Sequence, residues 1–200
     1  MVPMIACGIF QWELEHILPE VEKELGEKVE LSLLTPALDV SEARLEAAVR
    51  EGAARFGNQS CALLYGSMCH GNMKKLGETC YGSVYPAPPN CAAIFLGTEK
   101  KKELDSQGNF YYISSGELKM WRKVYQEEQG WDEADARMNF GYFEKIIVLD
   151  TGICEITDEM LFEFFDFVQI PVEVEKLSLS HFKGLVLDLC QRLLAQRRGG

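Results

Sequence analysis

The chain has 200 residues, a formal net charge of −11 and 47% hydrophobic residues, which suits one domain with a substantial core. The negative balance argues against general nucleic-acid binding, because no basic face is there to neutralise phosphates. No apolar run reaches the roughly 20 residues that span a bilayer, and Met1 to Cys7 show no basic segment followed by a long apolar one. A cytoplasmic protein without membrane contact is the expectation.

Residues 2–7 form a short apolar run ending in Cys-Gly and read as a first strand. Phe10, Leu14, Ile17, Leu18, Val21 and Leu25 recur near the 3.6-residue period of an amphipathic helix, with a kink or a break expected at Pro19. Residues 28–34 predict a second strand. Asp39 or Ser41 can cap a second helix that buries Leu45, Ala48, Val49 and Phe56. Residues 60–65 are a strand of buried type, so the order β-α-β-α-β predicts parallel strands with right-handed crossovers.

Residues 66–90 are rich in glycine and proline and predict a long loop, which in a compact domain usually serves function. Asn90 is a good N-cap for a helix opening at Cys91. Further on, 110–113 and 143–150 predict strands, 116–129 and 160–168 helices, 172–177 a last strand and 181–196 a terminal helix. No repeat and no linker demands a second domain. The fold class expected is α/β, a three-layer Rossmann-like or flavodoxin-like, mostly parallel sheet with helices on both faces.

Ligands of such folds gather beyond the carboxyl ends of the strands. Cys7, the pair Cys69-His70 and Asp150 all lie near predicted strand ends, and Cys91 lies at a predicted helix N-terminus, where the dipole favours a thiolate. Three thiolates and one imidazole would suit zinc first and an iron–sulfur centre second. Cys7, Cys69, His70 and Cys91 are therefore the candidate metal ligands, with Gly66, Gly71 and Asn90 as candidate cofactor-binding residues beside them. Glu13 and Asp150 are candidate catalytic carboxylates that could orient the site. Two features cut against a simple tetrahedral centre. No CxxC pair is present, and adjacent side chains on extended backbone point to opposite faces, so Cys69 and His70 share an ion only across a sharp turn, which Gly71 permits. Cys61, Cys154 and Cys190 read as buried apolar residues, and Cys80, within the loop, is open to either reading. Nucleotide fingerprints and a serine-hydrolase elbow are absent. Asp150-Thr151-Gly152 reads as a polar strand end with a turn.

An ordered series of residues resembles the domain-of-unknown-function family 1638. It comprises Ile5-Ala-Cys-Gly-Ile-Phe-Gln-Trp-Glu-Leu-Glu15, Tyr65-Gly-Ser-Met-Cys-His70 with Met73, Asn90-Cys91, Leu96-Gly97, Phe110-Tyr-Tyr-Ile, Trp121, and Asn139-Phe-Gly-Tyr-Phe with Leu149-Asp-Thr-Gly-Ile153. Where members often read Cys-His-Pro, this chain has Gly71, which leaves the loop freer. The resemblance implies that Cys7, Cys69, His70 and Cys91 belong to one shared site. It also implies an association with corrinoid-dependent methyltransferases, hence with one-carbon metabolism, a corrinoid as a further cofactor class, and a corrinoid protein or methyltransferase as partner.

Three functions are compatible with these residues. One is a metal-binding protein of corrinoid-linked methyl transfer. Another is a metal-free thiol enzyme with Cys91 as nucleophile and His70 as its base. The last is a non-catalytic accessory protein, for which the Phe162, Phe164, Phe165, Phe167 cluster could form an interface, although such a cluster is more often core.

Overall fold

A computed structural model describes residues 1–199. The chain is an α/β protein whose six strands are all parallel. They are divided between two three-stranded sheets. In the first, β1 (Val2–Cys7) lies between β2 (Val29–Leu34) and β3 (Ala62–Leu64), with Cys7 in register with Leu34. Every residue of β1 is buried, as expected of a central strand covered on both faces. The crossovers are α1 (Gln11–Leu25) and α2 (Glu42–Arg55). Helix α1 runs through Pro19 without ending. Pro19 is exposed, so the carbonyl that it leaves without a donor sits on the wet side of the helix, where water can satisfy it.

The stretch from Gly66 to Pro89 is less irregular than its composition suggests. It contains α3 (Met73–Thr79), opened by Asn72, whose Oδ1 accepts a hydrogen bond from the Lys75 amide at 2.9 Å. Met73 and Leu76 are buried. At Gly77 a Cβ would come within 2.6 Å of the Ser83 carbonyl oxygen, so the segment folds tightly on itself. Helix α4 (Cys91–Leu96) then begins where the Asn90 side chain accepts from the Ala93 amide at 3.0 Å. A further helix, α5 (Thr98–Asp105), precedes the second sheet.

That sheet has the order β4-β5-β6, with β4 (Phe110–Ser114), β5 (Lys145–Asp150) and β6 (Val172–Lys176). The segment expected as one helix after β4 is two pieces. A short α6 (Ser115–Lys119) is followed by a π-helix over Arg122–Glu128, the wider turn often found at functional sites. Helices α7 (Glu133–Phe140) and α8 (Asp158–Val168) flank β5, and α9 (Ser180–Gly199) ends the described chain. The phenylalanine cluster of α8 is divided, Phe164 and Phe167 being buried while Phe162 and Phe165 are 69% and 41% exposed.

The two sheets share a core. Tyr112, Ile147 and Leu149 of the second sheet pack in the same hydrophobic cluster as β1, β3 and α1, and α9 contributes Phe182, Val186, Leu189 and Leu193 to it. Phe10, Phe95 and Phe182 stack there with ring centroids 4.9–5.6 Å apart. The C-terminal helix thus ties the last part of the chain back to the first. No helix among the described residues is long and apolar enough to cross a membrane.

Candidate functional site

The carboxyl ends of β1, β2, β3 and β4 face one cavity of about 210 Å³. Cys7 enters it from the end of β1, Asp39 from the single 3-10 turn after β2 (Leu38–Val40), Tyr65 and Cys69 from the segment after β3, and Cys91 from the first residue of α4. The second half of the chain completes the lining with Tyr111 of β4, Glu117 of α6, and Val124 and Tyr125 of the π-helix. Three cysteines separated by 62 and 22 positions in sequence are therefore brought to one place.

Gly66 explains how two of them meet. A Cβ at this position would lie 2.3 Å from the Pro89 carbonyl oxygen and 2.6 Å from the Asn90 Cα. Only a glycine lets the strand-end loop carrying Cys69 lie directly on the residues that lead into Cys91. The amides of Ser67 and Met68 complete the seam, donating to the carbonyls of Pro88 and Pro89 at 2.9 Å. Gly66 lines the cavity, whereas Asn90 acts from behind it as the cap of α4.

His70 lies elsewhere. It is buried, but its Nε2 is 3.2 Å from Glu46 Oε1, its Nδ1 accepts from the Asn72 amide at 3.0 Å, and it is not among the residues that line the cavity. The backbone does turn after Cys69, and the turn sends the two neighbouring side chains apart. Gly71 supports this arrangement on the far side, donating its amide to Glu42 Oε1 at 2.9 Å. Cys91 and His70 thus do not form the nucleophile–base pair considered from sequence.

Glu13 and Asp150 also stand outside the cavity lining. Glu13, fully buried in the first turn of α1, accepts from Thr151 Oγ1 at 2.9 Å and from Ser115 Oγ at 3.4 Å. It joins α1 to the ends of β5 and β4, and burial raises its pKa. Asp150 accepts from the Gly152 amide at 2.8 Å, the side-chain-closed turn expected of a polar strand end. Cys61, Cys80, Cys154 and Cys190 are buried at 5% exposure or less.

Burial dominates the electrostatics of the site. The Cys7 and Cys69 thiols are each pushed up to about 12, and Cys91 is raised well above the ordinary thiol value. The N-terminal position of Cys91 does not make it a thiolate. Helix α4 has only six residues, and its dipole is outweighed by desolvation and by the nearby carboxylates. Glu117, 6% exposed, is raised to about 7, first by burial, although Tyr125 donates its hydroxyl to Glu117 Oε1 at 2.6 Å. Asp39, at the exposed mouth beside Val40, is raised as well. Tyr65 is 3% exposed, and its hydroxyl has no hydrogen-bond partner among the described residues.

Among the described residues no group of three or more His, Cys, Asp or Glu side chains stands in the arrangement of a metal coordination sphere. The three thiols line one cavity without forming such a group. Asp39 and Glu117 are the site residues that sequence reasoning missed. Both follow a strand's carboxyl end by a few residues, the rule that had singled out the cysteines, but each also lies in an ordinary helical, polar context.

A family profile described as Protein of unknown function (DUF1638) matches residues 33–186. The chain belongs to this family. The match includes Cys69, Cys91, Asp39 and Glu117 and begins after Cys7. No curated protein and no solved structure matches the chain.

Proposed function

We propose that the protein of the DUF1638 family described here binds a thiophilic metal ion, zinc first and an iron–sulfur centre second, at Cys7, Cys69 and Cys91. The observation that carries this reading is the meeting of three thiols from three separate segments in one cavity with two carboxyl groups. Burial keeps the three thiols protonated, and a cation reverses that by deprotonating the thiols that it binds. A cysteine side chain moves between staggered wells by one torsion, which is the movement that binding an ion would ask of each thiol. Asp39 at the mouth or Glu117 would supply a fourth, oxygen ligand. His70 has no part in this site, its ring being engaged by Glu46 and the Asn72 amide.

The one-carbon role implied by the family resemblance is compatible with such a centre. Space remaining beside the ion would take the thiol of a methyl acceptor, held there as a thiolate. A corrinoid protein or methyltransferase would be the partner that brings the methyl group, and Phe162 and Phe165 on α8 offer it an exposed apolar face. Elemental analysis of anaerobically purified protein tests the metal reading. About one zinc or iron per chain in the wild type, lost in Cys69→Ser and kept in Cys190→Ser, is the expected result. No metal in the wild type, taken with no uptake on adding zinc at pH 8, overturns it.

A further inference from the structure

The cavity is larger and differently lined than an ion requires. Its volume of about 210 Å³ leaves room for several heavy atoms beside one metal ion. Its lining contains no lysine, arginine or histidine, but it does contain two carboxyl groups. Four aromatic residues, Phe10, Tyr65, Tyr111 and Tyr125, contribute to the walls. The Tyr65 hydroxyl is buried without a partner among the described residues, an unfavourable state until something fills it. The one side-chain hydrogen bond of Glu117 among the described residues is to Tyr125, which leaves its second oxygen free for a further donor.

We propose that this cavity binds a small organic ammonium compound, whose cationic head lies among Asp39, Glu117 and the aromatic rings and whose N–H group meets the Tyr65 hydroxyl. The choice of class follows from what each alternative would leave unsatisfied. An anion would face two acids and no cation. A neutral apolar molecule would leave the buried Glu117 carboxyl without a further partner. An ammonium ion gains charge-assisted hydrogen bonds from the carboxylates and attraction to ring faces. The apolar side chains of Ile9, Val40 and Val124 would then cover its alkyl part. The proposal shares the cavity with the thiol-held ion proposed above and one of its two carboxyl groups, but none of its three thiols, so the metal-stripped protein tests it alone.

Calorimetric titration at pH 8 with ethylammonium and tetramethylammonium chloride, against ethanol and tert-butanol as neutral counterparts, tests it on metal-stripped and zinc-loaded protein. Both cations should bind at least ten-fold more tightly than their counterparts. Glu117→Gln and, separately, Asp39→Asn at the exposed mouth should each weaken both cations several-fold. Tyr65→Phe should weaken ethylammonium and leave tetramethylammonium unchanged, because only the former can donate to the hydroxyl. Cys69→Ser, which removes the metal reading, should keep ammonium binding. Absence of binding by either cation, equal binding by the neutral molecules, or indifference to both carboxyl variants would overturn the proposal.

Discussion

Glu117 is the residue at which environment and chemistry conflict most. Its carboxyl is raised from the ordinary 4.5 to about 7 because it is buried, and the short bond from Tyr125 offsets that only in part. A carboxyl with a raised folded-state value favours the folded protein below 4.5, and that contribution is lost as pH rises through about 7. Over that window the metal-free protein should lose on the order of 3 kcal/mol from this one group. Glu117→Gln, which keeps the shape and cannot ionise, should flatten the slope between pH 5 and pH 8 in urea titrations. An unchanged slope would mean that the carboxyl is better solvated than its 6% exposure implies. The thiols make a parallel case. With Cys7 and Cys69 near 12 and Cys91 higher still, the metal-free protein should be alkylated by iodoacetamide at pH 7.5 more slowly than a small free thiol. Zinc binding should release close to one proton per coordinated sulfur, and its affinity should rise about ten-fold per released proton per pH unit. Proton release measured with an indicator dye distinguishes three thiol ligands from one.

At the scale of elements, the site depends on a seam between two loops rather than on any single motif. Gly66→Ala places a methyl group against the Pro89 carbonyl, which is backbone and cannot swing aside. The expected loss is about 1–3 kcal/mol or more, as for other overpacked positions, together with weakened metal binding, because the Cys69 loop and the Cys91 helix are pushed apart. Asn90→Ala removes only a cap, worth about 1 kcal/mol, and should lower the melting temperature while leaving metal stoichiometry intact. The contrast between the two variants checks that the seam, and not the helix cap, sets the thiol positions. The same contrast explains what could be read in advance. All six strands and the long helices were legible because apolar spacing carries them, as in Leu14, Ile17 and Val21 of α1, each at most 3% exposed. Helix α3 was not, since it lies in a glycine-rich stretch and buries only Met73, Leu76 and Gly77. Helix α5 is a charged run with one buried side chain, Leu104. The π-helix has the composition of an α-helix, and its wider turn becomes visible only with the structure. Cys7, Cys69 and Cys91 were legible as a group because strand ends announce them, whereas the departure of His70 depends on a turn angle that neighbouring residues do not fix.

At the scale of the whole molecule, the cavity divides its walls unequally between the two halves. The three thiols and Asp39 come from the β2-β1-β3 half, while Glu117 and Tyr125 come from the β4-β5-β6 half. The halves share a core through Tyr112, Ile147 and Leu149. At the surface they are joined by Arg44 and Glu128, which are 2.6 Å apart between α2 and the π-helix. That ion pair is exposed, and such pairs contribute roughly 0–1 kcal/mol, so the π-helix is held chiefly by Val124 and Tyr125, which pack in the core of its own half. An ion bound by the thiols touches one half, whereas a ligand between Asp39 and Glu117 touches both. Amide hydrogen exchange should separate the two events, because protection follows the segments that a ligand orders. Zinc alone should slow exchange over residues 66–97 and leave 117–129 little changed. Addition of an ammonium ligand should extend protection to 117–129, and Tyr125→Phe, which frees Glu117 from its fixed position, should reduce that second increment. Protection of both segments by zinc alone would instead place Glu117 in the coordination sphere, making it the fourth ligand in preference to Asp39.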